Sequence, residues 1–151
     1  MAEFTKSPLC LRVFVYGTLK PGEANYQRYC AGKVVDSKKA FTLGKLFALP
    51  MGYPAIIPGN GQVHGYLLTF TDTTVLSALD ELEDYQPTNT ASENLYDRQR
   101  LEIYDQQSRS LGLAWVYLMT SEAVSRLGGV FLPNGWWSGS TSSRSFMSKE
   151  S

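Results

Sequence analysis

Between Lys38 and Phe70 the chain reads KKAFTLGKLFALPMGYPAIIPGNGQVHGYLLTF, in which short apolar runs are cut again and again by glycine and proline. A long helix cannot pass through such a stretch, because proline removes a backbone donor and each glycine costs about 1 kcal/mol relative to alanine. The punctuation specifies strands and turns, and PGNG, residues 58–61, is the clearest hairpin turn in it. Glycine repeated inside strands also permits the sharp curvature that a small barrel requires.

The flanking segments add other elements. Residues Leu11 to Tyr16, LRVFVY, are β-branched and aromatic and predict a strand buried on at least one face. EANYQRYCAG carries a weak helical signal that ends at Gly32. Thr71 to Thr74 supply N-cap side chains, and Val75, Leu76, Leu79 and Leu82 recur at helical spacing, which predicts a helix from about Thr73 to Asp84. The polar stretch QPTNTASEN is a loop longer than the usual connection. Two strands follow, YDRQRLEIYD, in which Gln99, Leu101 and Ile103 alternate with Arg98, Arg100 and Glu102, and LGLAWVYLM. Trp136 and Trp137 are expected to pack at the edge of the core. The expected organisation is one domain over residues 9–137 and a Ser-rich, disordered tail over residues 138–151.

Composition removes whole classes of chemistry. Fourteen basic residues balance fourteen acidic ones, and no Lys/Arg stripe forms, so the electrostatic footprint of a nucleic-acid binder is missing. Two cysteines, Cys10 and Cys30, stand in no Cys-x-x-Cys or Cys/His pattern, and His64 is the only histidine. A zinc site has too few ligands, and a catalytic triad could use only His64, whose alternating surroundings read as a sheet surface. With no basic leader ahead of an apolar core and no apolar run near the roughly 18 residues of a membrane span, the expectation is a cytoplasmic protein with reduced thiols and no membrane partner.

Two features point to chemistry. On a wheel advancing about 100° per residue from Val75, Leu76, Ala78, Leu79 and Leu82 share an arc, while Ser77, Asp80, Glu81 and Asp84 fall opposite and are expected to face water. Glu83 alone among the acids lands on the apolar side, at about 80°. A carboxylate aimed inward acquires a partner or a raised pKa, and a general base uses both; at the fraying end of a helix it can equally turn to solvent or pair with Arg98 or Arg100. The second feature is the end of the first strand, Tyr16-Gly17-Thr18-Leu19. Successive amides with little side chain over Gly17 suit a carboxylate or phosphate, though a plain tight turn has the same sequence. Neither a P-loop nor a dinucleotide fingerprint is present.

Taken in order, VYGTLKPG, GYPAIIPG, VHGYLLTF, LDELEDY and YDRQ resemble the γ-glutamylcyclotransferase-like family over roughly Val13 to Leu118. The resemblance implies an α+β fold, a small mixed β-barrel with flanking helices. It also implies a cofactor-independent enzyme that releases 5-oxoproline from a small-molecule γ-glutamyl substrate. Under it, Glu83 matches the family's general acid/base, Tyr16, Gly17, Thr18 and Leu19 match the turn that holds the glutamyl part, and Tyr96 and Tyr53 match positions close to the pocket. Asp84 departs from the glycine common in the family, and the loop from Gln86 to Glu93 is longer than the family's. A non-catalytic module of the same fold that grips a small carboxylate is the alternative.

Overall fold

A computed structural model of the chain describes residues 11–17, 19–20, 23, 26, 30, 32–50, 52–71, 74–82 and 96–137, with Glu81 and Leu82 described by backbone alone. The predicted tail, the Gln86–Glu93 loop, Thr18 and Glu83 lie outside these residues. The elements run β1 (Leu11–Val15), β2 (Val34–Ala48), β3 (Pro54–Phe70), α1 (Val75–Leu82), β4 (Asp97–Tyr104), β5 (Ser110–Leu118), α2 (Ser121–Arg126) and β6 (Val130–Phe131).

The strands form one mixed sheet in the order β3-β1-β5-β4-β2-β6, and β3 also pairs with β2, so the sheet curls round on itself into a partial barrel. β1 runs antiparallel to β3, from Leu11 opposite Phe70 to Val15 opposite Tyr66, and parallel to β5, with Val13 opposite Trp115. The long β2–β3 ladder supplies the curvature. It is interrupted where Leu43 pairs with Gln62 and Lys45 with Ile57, leaving Gly44 opposite Pro58-Gly59-Asn60-Gly61. PGNG is therefore a bulge inside β3 and not the hairpin turn that its composition suggests. The chain reverses instead at Leu49–Tyr53, where Gly52 has a φ of +100° and its N–H donates to Leu49 O at 3.1 Å. Strand pairing on both sides of PGNG outweighs its local turn preference.

Side-chain alternation gives the sheet two apolar faces. Phe14, Val63, Leu67, Ile103, Val116 and Leu118 form one cluster. Val13, Val15, Leu68, Phe70 and Tyr117 belong to the other, which α1 covers with Val75 and Leu79 and α2 with Ala123 and Val124. Leu79 is fully buried, which contributes about 1.5–3 kcal/mol. The predicted helix over residues 73–84 is thus present as Val75–Leu82 among the described residues. Sequence periodicity does not predict α2, a single short helix capped by Thr120, whose Oγ1 accepts from the Ala123 N–H at 3.0 Å.

Candidate active site

The end of β1, the start of β3 and the start of β4 meet at one place. After Val15 the chain leaves the strand and bends through Gly17 to Lys20, where the Lys20 N–H donates to Gly17 O at 3.0 Å. That bond uses one amide of the turn internally. Leu19 is buried in the helix-covered cluster and anchors the turn from beneath. Tyr16 is buried, and its hydroxyl donates to Tyr117 O at 2.5 Å, so its side chain fastens the turn to β5. What Tyr16 can offer a ligand is its main chain.

Gly17 lies flat against Pro54. A Cβ built there would sit 2.7 Å from Pro54 Cδ and 2.8 Å from Cγ, closer than side chains tolerate. Pro54 O in turn accepts the Tyr96 hydroxyl at 2.5 Å, and the Tyr53 and Tyr96 rings pack with centroids 6.2 Å apart. The structure therefore brings together Tyr16, Gly17, Leu19, Tyr53 and Tyr96 from three segments distant in sequence. It makes Tyr96 a buried scaffold residue at this junction, while Tyr53 is half-buried.

Glu83 and Thr18 lie outside the described residues, but the helix that runs up to Glu83 is held by a polar network. Asp80 Oδ1 accepts from Tyr117 Oη at 2.7 Å and from Arg98 Nε at 2.8 Å, and Asp80 is 7% exposed. The expectation that Asp80 faces water is thus corrected. On the wheel it stands at about 140°, next to Leu76, and two donors projecting from β5 and β4 are enough to draw a flanking carboxylate under the helix. Arg98, two residues beyond Tyr96, is committed to Asp80 and also lies over Trp115, 4.4 Å from the ring centroid. Tyr117 joins the two halves, since its carbonyl takes the Tyr16 hydroxyl while its own hydroxyl reaches Asp80.

Lys20 closes the other side of the turn. It is 1% exposed, its Nζ donates to the Trp137 carbonyl and lies 3.5 Å from the centroid of the Trp136 ring, and Glu23 Oε2 stands 4.0 Å away. Burial lowers its pKa from 10.5 to about 8, with Glu23 acting in the opposite direction. Trp137 is buried in the core and Trp136 is 38% exposed above the ammonium, as expected for residues at the core edge. Sequence reading misses Asp80 and Lys20. For Asp80 the signal was available, in an acid beside the apolar arc followed by a strand with two arginines. For Lys20 there was none, because its partners lie at the far end of the domain.

Among the described residues no group of three or more His, Cys, Asp or Glu could hold a metal ion, and no helix is long and apolar enough to cross a membrane. His64 packs on β3 beside Phe41, with ring centroids 5.7 Å apart. Cys30 is a buried free thiol whose pKa burial pushes up to about 11.

Comparison with known proteins places the chain in a family. Residues 13–139 match the family described as gamma-glutamyl cyclotransferase, AIG2-like. The chain is 36% identical over 106 residues to the gamma-L-glutamyl-butirosin B gamma-glutamyl cyclotransferase of Niallia circulans, a match that covers 70% of this chain and 65% of that one. The Escherichia coli K12 gamma-glutamylcyclotransferase family protein YtfP is 31% identical over 77 residues, covering 48% of this chain and 61% of its own. The chain thus spans a little under two thirds of either relative. In fold it resembles the crystal structure of an AIG2-like protein from Mus musculus, with a TM-score of 0.64, 22% identity, and coverage of 85% of this chain and 88% of that one. With residues 13–139 matched, the chain belongs to the gamma-glutamyl cyclotransferase, AIG2-like family.

Proposed function

We propose that the protein is a cofactor-independent γ-glutamylcyclotransferase that releases 5-oxoproline and an amine or amino acid from a small γ-glutamyl compound. The observation that carries the proposal is the meeting of the Gly17 turn with Tyr53 and Tyr96 around Pro54, at the positions the family resemblance assigns to the substrate. In this reading the main chain of Tyr16, Gly17, Thr18 and Leu19 holds the glutamyl end, and Tyr53 forms the wall with Tyr96 packed behind it.

The substrate's α-nitrogen attacks its own γ-carbonyl carbon. The new N–C bond closes a five-membered ring, and the bond from that carbon to the nitrogen of the leaving amine breaks. Nucleophile and electrophile belong to one molecule, so the protein's task is to hold the folded conformer, which is worth on the order of 7–11 kcal/mol at best. Glu83 takes a proton from the α-ammonium and returns one to the departing nitrogen, so a single carboxyl serves both steps. The amides of the turn anchor the α-carboxylate, which keeps the α-nitrogen on the side of the carbonyl that it must attack.

The test is mass-spectrometric detection of 5-oxoproline after incubation with a panel of γ-glutamyl amino acids and γ-glutamylamines, for the wild type and for Glu83→Gln. The expected result is release by the wild type and none above background by the variant. Wild-type turnover in Glu83→Gln would remove Glu83 from the mechanism. Tight binding of γ-glutamyl ligands with no product over hours would favour a non-catalytic carboxylate-binding module.

A further inference from the structure

Lys20 ends the turn that the proposed function gives to the glutamyl carboxylate, and its own N–H closes that turn onto Gly17 O. Its side chain leaves in another direction and is sealed in. The ammonium bonds the Trp137 carbonyl, the Trp136 ring covers it, and the residue is 1% exposed. We propose that Lys20 is a specificity-determining residue, whose buried ammonium places a positive field on the Gly17–Lys20 turn and so selects γ-glutamyl compounds with a free α-carboxylate over those in which that group is amidated or esterified. The proposal rests on the reading of the turn as the glutamyl subsite.

Three observations support it. First, the ammonium lies within one side-chain length of the turn's own backbone and is held there by two partners, so its charge is fixed relative to the amides. Second, the residue is 1% exposed, and the field of its ammonium is screened far less than that of a surface lysine. Third, among the described residues the ammonium has a single, long ion pair. Among the described residues Glu23 is the charged group that faces it, at 4.0 Å and partly open to solvent. The 132–137 segment brings a carbonyl and indole rings, and Tyr66, 6.4 Å from Trp136, brings another neutral ring. A tie between the turn and Trp137 needs only a donor, which a neutral amide side chain supplies without the desolvation cost of a cation.

The experiment measures calorimetric affinity of the full chain for 5-oxoproline and for its neutral carboxamide, which differ only in the charge of the group at the turn. At pH 7 the wild type is expected to prefer the carboxylate by about tenfold or more, Lys20→Met to lose most of that preference, and Lys20→Arg to keep it. Glu23→Gln, which removes the opposing carboxylate, is expected to widen it. Raising the pH from 7 to 9 should narrow the preference in the wild type and leave Lys20→Arg unchanged, because a guanidinium keeps its proton over that range. A merely structural lysine would alter both affinities together and leave their ratio alone. Equal binding of the two probes by the wild type, or an undiminished ratio in Lys20→Met, overturns the proposal. If Lys20→Met does not fold, the pH series on the wild type and Lys20→Arg decides it. A preference that behaves as described beside a fully active Glu83→Gln would sink the catalytic assignment and leave the role of Lys20 standing; the converse pattern would do the reverse.

Discussion

The buried Asp80 offers the sharpest test of how the helix is docked. Asp80→Asn keeps the shape of the side chain and removes its charge. In the native protein that charge receives two hydrogen bonds, at 2.7 Å from Tyr117 and 2.8 Å from Arg98, in a region where the Asp80 and Arg98 side chains are only 10% and 14% exposed. Removing one member of a buried pair costs about 3–5 kcal/mol when the other is stranded. Arg98 retains its stacking on Trp115, and the new amide oxygen still accepts one bond, so the expected loss is smaller, about 2–3 kcal/mol. Tyr117→Phe alone should cost about 1.5 kcal/mol, the worth of one bond to a charged acceptor. The two changes share that bond, so their combined loss should fall about 1 kcal/mol or more short of the sum. Urea unfolding followed by far-UV circular dichroism, with a common slope for the four proteins, measures all of this. A loss below about 0.5 kcal/mol for Asp80→Asn, within the range of ordinary surface changes, would mean that the carboxylate sits in water after all.

Two other outcomes can be read in the same way. Because the Lys20 pKa is lowered from 10.5 to about 8 in the folded chain, the unfolded chain binds more protons between those values, and stability rises with pH across that window. The gain should approach about 3 kcal/mol in the wild type and vanish in Lys20→Met, as followed by chemical unfolding at pH 7.5 and 10.5. Gly17→Ala puts a methyl group into the stiff Pro54 ring and should cost about 1–3 kcal/mol while raising KM for a γ-glutamyl substrate several-fold; unchanged KM would separate the turn from substrate binding.

How far this fold could be read from its sequence depends on the range of the forces involved. α1 and β4 were legible because periodicity is a local record of burial, and β1 and β5 because apolar, β-branched and aromatic residues run together in them. PGNG misled because four turn-favouring residues describe a preference, while the strand on each side of them is held by partners more than ten residues away. The short α2 left too few turns for a period, although Thr120 ahead of it and Gly128 behind, with a φ of +81°, mark its ends. In the candidate site, the ordered motifs pointed to the turn, Tyr53 and Tyr96, which the fold brings to one junction. They did not disclose that the Tyr16 and Tyr96 hydroxyls are spent on main-chain carbonyls, since those acceptors, Tyr117 O and Pro54 O, are fixed by topology and not by residue type. Asp80 and Lys20 were missed for a related reason. A helical wheel ranks residues by the company on their own helix, and both of these are placed by donors or acceptors on other elements.

The parallel pairing of β1 with β5 has a consequence for the order in which the molecule can be made. β2 and β3 are joined by a short reversal and can zip from Leu49–Tyr53 outward as soon as both exist, with little loop entropy to overcome. β1 is different. One of its neighbours is the far end of β3 and the other is Trp115 on β5, about a hundred residues later in the chain. A ribosome that has released everything up to β4 has therefore exposed a long hairpin that can fold and a first strand with one edge still unclaimed. The Gly17–Lys20 turn hangs from that strand and is fastened by Tyr117 and Trp137, so it takes its shape only when the last of the domain arrives. The Gly17–Lys20 turn, encoded almost first, is completed last. Chains cut short before Leu118 should carry a normal β2–β3 hairpin and no site.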